Sequence, residues 1–225
     1  MHKVAIIIFG NPGSGKSTQA ELLTKNFNFI HFNTGKFLEA IVFDPKRQKE
    51  KAIQKERKNF EEGKLMTPSF VIREIKKELK KIANVNMGLV FSGSPRTLYE
   101  AQKIIPFLKK HYHSNIIIIK LKISSNEAIK RNSNRLVCSV CGYTLLSAYF
   151  NPKNIKYCPV CGGKMYKRVL DNPKTMQVRL KEYENRTKPV FDFLKNNGFK
   201  IFEVNAKPAP YKIFERIKKI IKNRK

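Results

Sequence analysis

Two groups of residues in this chain have the types and spacing to do chemistry. The first is the loop Gly10-Asn11-Pro12-Gly13-Ser14-Gly15-Lys16-Ser17-Thr18, which follows directly on the apolar run Val4-Ala5-Ile6-Ile7-Ile8-Phe9. Gly10, Gly13 and Gly15 can take backbone angles closed to other residues, so successive N–H groups can point into one concavity and bind an anion. A lysine and two hydroxyl residues at the start of a helix complete an arrangement that holds a nucleotide's phosphates. Lys16 would reach the β- and γ-phosphates, and Ser17 or Thr18 would offer an oxygen to Mg²⁺.

The second group is a pair of knuckles, Cys138-Ser139-Val140-Cys141-Gly142 and Cys158-Pro159-Val160-Cys161-Gly162-Gly163. Four thiolates at this spacing close a tetrahedral zinc site, and each glycine permits the turn that brings two sulfurs to one ion. Such a set leaves no open coordination position. Its expected role is structural, holding together a subdomain too small for a core of its own. Iron would accept the same ligands, and zinc ribbons also occur in nucleic-acid binders, so the cysteines alone leave the function open.

These groups need elements to hold them. Apolar runs at residues 4–9, 89–91, 116–121 and 201–204 read as buried strands, with a shorter one near 29–32 and helical patterns between them. This alternation predicts a three-layer α/β fold with a central parallel five-stranded sheet and ligands at the carboxyl ends of its strands. Two segments break the alternation. Residues 34–83 are almost wholly helical and highly charged, enough for an inserted helical subdomain. Residues 136–168 are rich in turn residues, aromatics and cysteines and read as a small zinc-ribbon-like insertion. The core is then 1–33, 84–135 and 169–225, with a closing helix after the turn at Asn205-Ala206-Lys207-Pro208-Ala209-Pro210.

A chain of 225 residues fits one such domain. Its net charge of +29 and pI near 10.1 attract polyanions and phosphorylated small molecules alike, so nonspecific polyanion binding is expected without selecting a function. The lysines of 46–58, 76–81 and 212–225 are spaced as on solvated helix faces. No apolar stretch is long enough to span a membrane, and the N-terminal one lacks a small-residue cleavage site. Together with paired cysteines, which suit a reducing compartment, this predicts a cytoplasmic protein with no membrane partner.

Further along the chain come Asn33-Thr34-Gly35-Lys36-Phe37-Leu38, Gly63-Lys64-Leu65-Met66-Thr67 and Gly93-Ser94-Pro95-Arg96-Thr97. Arg131 and Arg135 precede the cysteines, and Arg168 and Arg179 follow them. In this order the motifs resemble the adenylate kinase family over essentially the whole chain, in its long form with a zinc-bearing lid. The resemblance implies a monomer that transfers the γ-phosphoryl group of Mg·ATP to AMP reversibly, giving two ADP. Phosphoryl transfer between polyanions is mostly alignment and charge stabilisation, which planar, permanently charged guanidinium groups suit. By the resemblance, Lys16, Arg96, Arg131, Arg168 and Arg179 surround the transferred group. Residues 10–18, Arg131, Arg135 and Lys207 bind ATP, with Arg131 against the adenine. Thr34, Lys36, Lys64, Leu65, Met66, Gly93, Ser94, Pro95, Arg96, Glu100, Arg168 and Arg179 line the AMP site.

The chain departs from the family pattern at several of these positions. Lys36 and Glu39 stand where the family has Asp and Arg. Three apart on a helix, they face one another, and the exchange makes Lys36 the cation offered to the acceptor phosphate. The aspartate that orders water on Mg²⁺ is Ser92, the aromatic two residues later is Ser94, and a lid aspartate is Leu170, with Asp171 beside it. Ser17 stands where the family usually has Gly. A hydroxyl after the loop lysine is a Mg²⁺ ligand in other P-loop enzymes, so Ser17 is expected to restore part of the metal site.

Glu100 replaces the glutamine that reads the adenine edge. An ionised carboxylate accepts hydrogen bonds and donates none, which leaves CMP or UMP as alternative acceptors. A nucleotide- or nucleic-acid-binding homologue with weakened transfer is a further expectation, favoured by Glu39, Ser92 and Leu170 and opposed by the retained Lys16 and arginines.

Overall fold

The computed structural model describes residues 3–145 and 155–223; residues 146–154 of the expected lid, and 1–2 and 224–225 of the expected core, lie outside the described residues. Five strands form the parallel sheet expected from the apolar runs: β1 (Ala5–Gly10), β2 (Ile30–Asn33), β3 (Leu89–Ser92), β4 (Ile116–Lys122) and β8 (Ile201–Asn205). Their order is β2-β3-β1-β4-β8, and every pairing is parallel. β1 is central and buried at all six positions, which accounts for its unbroken apolar run.

The two-residue period of β1 divides the core. Ala5, Ile7 and Phe9 face one layer, where they meet helices α4 (Pro68–Asn84), α5 (Leu98–Tyr112) and α8 (Pro189–Asn196) through Ile75, Leu108 and Leu194. Ile6 and Ile8 face the other, against α1 (Lys16–Phe27) and α9 (Pro210–Lys222) through Leu23 and Ile217. Each such fully buried aliphatic side chain contributes about 1.5–3 kcal/mol. The central strand is thus clamped from both faces, and the loop leaving it has a rigid base.

Between β2 and β3 the chain inserts α2 (Thr34–Val42), a short 3₁₀ turn, α3 (Lys51–Glu61) and α4. Leu38, Val42 and Ile53 tie this insert to the layer containing Ile75. After β4 and α6 (Ser125–Ser133) a separate antiparallel sheet forms from β5 (Leu136–Cys138), β6 (Thr144–Leu145) and β7 (Met165–Tyr166), in the order β6-β5-β7. α7 (Pro173–Glu182) then continues through a π-helical turn, Tyr183–Thr187, into α8. Among the described residues, no helix is long and apolar enough to cross a membrane.

Candidate functional site

The loop of residues 10–15 leaves the carboxyl end of β1 and enters α1 at Gly15, whose φ of 86° is left-handed. α1 has no side-chain cap and no acid in its first turn, so its N-terminal N–H groups are left to attract an anion. Gly13 is the position where glycine is indispensable: φ is 85°, and a Cβ there would lie 2.4 Å from Asn132 Nδ2 and 2.8 Å from the Ala128 carbonyl of α6. Lys16 curls back over the loop, its Nζ donating to the carbonyls of Gly10 (2.7 Å) and Asn11 (2.8 Å). Burial, and then Arg96, Arg179 and Arg135, hold its pKa well below the usual lysine value.

Four arginines share this neighbourhood. Arg96 follows β3, Arg135 follows α6, Arg168 follows β7, and Arg179 lies on α7. Burial draws the Arg179 pKa down, and the charges of Arg96, Arg135 and Arg168 add to that, while Asp171 opposes it. Asp171 is itself buried and takes Arg135 bidentately, Nε to Oδ2 at 2.9 Å and Nη2 to Oδ1 at 2.6 Å, with Arg179 Nη1 at 3.9 Å. Arg168 Nη2 donates to Glu39 Oε2 at 2.7 Å. The lysine and four arginines thus come from five separate elements or loops to one point beside the anion-binding loop.

Arg131 is not brought into this group. Its guanidinium donates instead to Glu127 Oε1 (2.7 Å) and the carbonyls of Ala206 (2.9 Å) and Lys207 (2.9 Å). Arg135 takes the place expected for it. Lys207, expected on the ATP side, meets Arg131 through its backbone carbonyl. Thr18 lies within α1, and Asn11 and Pro12 within the loop.

Most of the residues expected to line the acceptor side, Lys36, Leu65, Met66, Arg96, Glu100 and Arg168 among them, wall a cavity of about 500 Å³ between the helical insert and the small sheet, while Pro95 and Arg179 line the neighbouring pocket with Lys16 and Thr34 lines neither. Thr34, at the start of α2, is buried with no hydrogen-bond partner for its Oγ1, and so is Ser14 in the loop. Gly93 and Gly35 let the chain pass Arg96 closely: a Cβ at Gly93 would be 3.4 Å from Arg96 Nη2. The Ser94-Pro95 peptide is cis. Lys64 pairs with Glu62 at 2.7 Å, and Leu65 N–H donates to Glu182 Oε2 at 3.1 Å. Lys36 Nζ reaches the knuckle opposite, 3.1 Å from where a Cβ on Gly142 would be.

Glu100 is buried, and its carboxylate accepts from Arg96 N–H (2.9 Å) and Thr97 Oγ1 (3.2 Å). Thr97 caps α5 in return, accepting from Glu100 N–H at 3.2 Å, so the cap and the carboxylate brace each other at the start of the helix. Burial raises the Glu100 pKa, while these hydrogen bonds and Arg96 oppose the rise.

At the sheet edge beneath the loop, Asn33 and Ser92 are paired in register, and Asn33 Nδ2 donates to Ser17 Oγ at 3.3 Å. His31 Nε2 and Ser92 Oγ are hydrogen-bonded at 2.7 Å, and burial, aided by Lys36, lowers the histidine's pKa to about 4. A base with a folded pKa below its unfolded one binds protons first in the unfolded chain as pH falls. Its contribution is therefore intact above about pH 6.5 and lost on descent towards 4. Between pH 7 and pH 4.5 the loss is at most about 2.5 kcal/mol. Urea unfolding at these two pH values is expected to show that extra loss in the unmodified protein and not in His31→Gln; equal losses in both would refute it.

The four cysteine sulfurs all lie within 4.8 Å of one another, with Cys138–Cys161 at 3.4 Å and Cys141–Cys158 at 3.7 Å. Zinc–sulfur bonds of about 2.3 Å in a tetrahedron place sulfurs about 3.8 Å apart, so the set fits a structural zinc ion. Each knuckle is closed by a matching turn, Gly142 N–H to Cys138 O and Gly162 N–H to Cys158 O. β5 begins directly after Arg135 and β7 ends two residues before Arg168. The sheet that carries the four cysteines therefore sets where two of the clustered arginines stand.

Several contacts that shape the site went unread in the sequence. His31 carries no spacing signal, nothing marks Asn33 as the partner of Ser17, and the bidentate pairing of Asp171 with Arg135 spans 36 residues. An adenylate kinase family model matches residues 8–199. An adenylate kinase of Methanothrix thermoacetophila is 32% identical over 219 residues, covering 96% of this chain and 97% of the relative. One from Caldicellulosiruptor bescii is 30% identical over 193 residues, covering 86% and 87%. A phosphate loop on the central strand, a converging set of cations and a match running through both insertions lead to one family: this chain belongs to the adenylate kinases.

Proposed function

We propose that this protein transfers the γ-phosphoryl group of Mg·ATP reversibly to AMP, giving two ADP. Residues 34–83 act as the acceptor-binding insert and 136–168 as the lid, on a core of 1–33, 84–135 and 169–225. The observation that carries this reading is the convergence of Lys16, Arg96, Arg135, Arg168 and Arg179 at the mouth of the anion-binding loop, beside a cavity of about 500 Å³. Phosphoryl transfer asks little covalent work of the protein. It asks for donor and acceptor in line and for charge on the moving group to be met by fixed cations.

In this reading the loop N–H groups and Lys16 hold the β- and γ-phosphates of ATP, and Arg131 and Lys207 flank its base. Thr34, Lys36, Lys64 to Met66 and Gly93 to Arg96 receive the acceptor. Glu100 already braces the start of α5 through Arg96 N–H and Thr97 Oγ1, and its remaining acceptor capacity faces the acceptor base. Closure of insert and lid excludes water that would otherwise take the phosphoryl group. A coupled assay for ADP, run with ATP alone and with AMP, CMP or UMP, tests the reading. ADP formed in strict dependence on AMP supports it, and stronger turnover with CMP or UMP moves the acceptor assignment. We further read the protein as a cytoplasmic monomer whose charge also binds polyanions loosely.

Mg²⁺ arrives with ATP, and Ser17 is the chain's own oxygen for it, held by Asn33, while Ser92 brings a hydroxyl engaged with His31 in place of a carboxylate. Loss of one such oxygen costs about 1 kcal/mol, or roughly fivefold in affinity. Ser17→Gly is thus expected to raise the Mg²⁺ concentration for half-maximal turnover about fivefold at fixed ATP. An unchanged Mg²⁺ titration would sink the assignment.

A further inference from the structure

Each arginine of the cluster meets a counter-charge, and the sources of these charges differ. Arg135 and Arg179 share Asp171, which lies between lid and α7, and Arg96 meets Glu100 on its own following helix. Arg168 meets Glu39, on α2 of the helical insert, at 2.7 Å across 129 residues of sequence. Both side chains are largely covered, at 33% exposure for Glu39 and 21% for Arg168. Lys36, one turn before Glu39, lies against Gly142 of the lid, so the ion pair sits where insert and lid touch.

The position of Arg168 is electrostatically unfavourable by itself. It adds to the charges acting on both Arg96 and Arg179. A long side chain at the end of a short strand escapes such a field by rotating into water, at little conformational cost. A charge-assisted hydrogen bond to a carboxylate offsets the repulsion and fixes the plane of the guanidinium.

We propose that Glu39 is a positioning residue for Arg168. As the helical insert closes, it brings a carboxylate that seats the lid-side guanidinium beside Arg96 and Arg179, so that acceptor-side closure completes the set of transfer-site cations. Glu39 binds no phosphate itself. One edge of Arg168 is held by Glu39, and the other is left for the moving phosphoryl group. The chain thereby turns the side chain at position 39 from a ligand of the acceptor into a support for the lid.

This inference rests on the reading of Arg168 as a transfer-site cation, which Arg168→Lys tests separately. Glu39→Gln is expected to lower kcat 10- to 100-fold with KM for ATP changed less than threefold and the melting temperature unchanged. Glu39→Asp should recover most of the rate. The double variant Glu39→Gln with Arg168→Lys should be no slower than Arg168→Lys alone, because Arg168→Lys already removes the planar guanidinium that Glu39 orients.

An unchanged kcat in Glu39→Gln, beside an impaired Arg168→Lys, overturns the inference and leaves the role of Arg168 standing. So does a lower KM for AMP at constant kcat, which would make Glu39 a competitor of the acceptor phosphate. Full additivity in the double variant also overturns it, and an unimpaired Arg168→Lys removes the role of Arg168 and the inference together.

Discussion

Arg179→Met is expected to lower kcat by about 10³-fold or more, in the range found for single arginines that stabilise transferring phosphoryl groups, while the melting temperature stays level or rises. The two halves of this result have one cause. In the free protein Arg179 is four-fifths covered and stands among Arg96, Arg135 and Arg168. Its own contacts are weak: Leu170 O at 3.4 Å, Met176 Sδ at 3.7 Å and an Asp171 already held bidentately by Arg135. Repulsion and lost hydration therefore outweigh attraction until a phosphate arrives.

Methionine keeps the aliphatic stem that packs near Gly63 and removes the charge. Relief of about 1 kcal/mol would raise the melting temperature of a chain this size by about 2–4 °C. Stopped-time ADP assays and thermal unfolding of the same preparation check both halves. A loss in kcat under tenfold, or a melting temperature lowered by more than about 4 °C, would show that Arg179 holds the fold and does not serve the transfer. A site that is costly to maintain empty and pays off only with substrate is what stabilisation of a transition state by fixed charges requires.

The parts of this protein that could be read from the sequence are those set by local rules. A strand buried on both faces must be an apolar run, so β1 and the stretch 116–119 of β4 announce themselves, and a loop that wraps phosphate needs its glycines wherever it occurs. Two knuckles with the same turn are equally self-contained. Long-range contacts overrode the local rules elsewhere. Arg131 and Arg135 are four apart, the spacing of one helical face, yet α6 ends at Ser133, and Arg135 leaves in another direction. Lys36 and Glu39 are three apart within α2 and should face one another. Arg168, fixed by the lid, supplies the better partner, and Glu39 takes it. Nothing within reach along the chain marks His31 as the neighbour of Ser92, because that hydrogen bond exists only once β2 and β3 lie side by side.

Loss of zinc from the four-cysteine site is expected to slow the reaction as well, by a different route from loss of a transfer-site arginine. The small sheet has strands of three, two and two residues. Its described buried side chains include Leu136, Val137 and Leu145, together with Cys138 and Cys158 themselves. So few apolar groups offset only a small part of the ordering entropy of such a segment, at about 1–2 kcal/mol per residue. A structural zinc ion supplies about 10–16 kcal/mol, so zinc held by the four cysteines would decide whether this small sheet is folded. Arg135 and Arg168 stand at the two junctions of this sheet with the core. When the sheet melts, the spacing between them is no longer set, and Glu39 loses its partner.

The double variant Cys141→Ser with Cys161→Ser is expected to bind no zinc and to lose kcat at least about 10²-fold, as misplaced catalytic groups do. The five-stranded core shares no strand with the lid, so it should melt within about 4 °C of its former temperature. Metal content by atomic absorption, turnover and thermal unfolding, measured on one preparation, separate the possibilities. A zinc-free variant turning over within threefold of the parent would mean that the lid folds unaided. A collapse of the core transition would mean that the metal holds the whole domain.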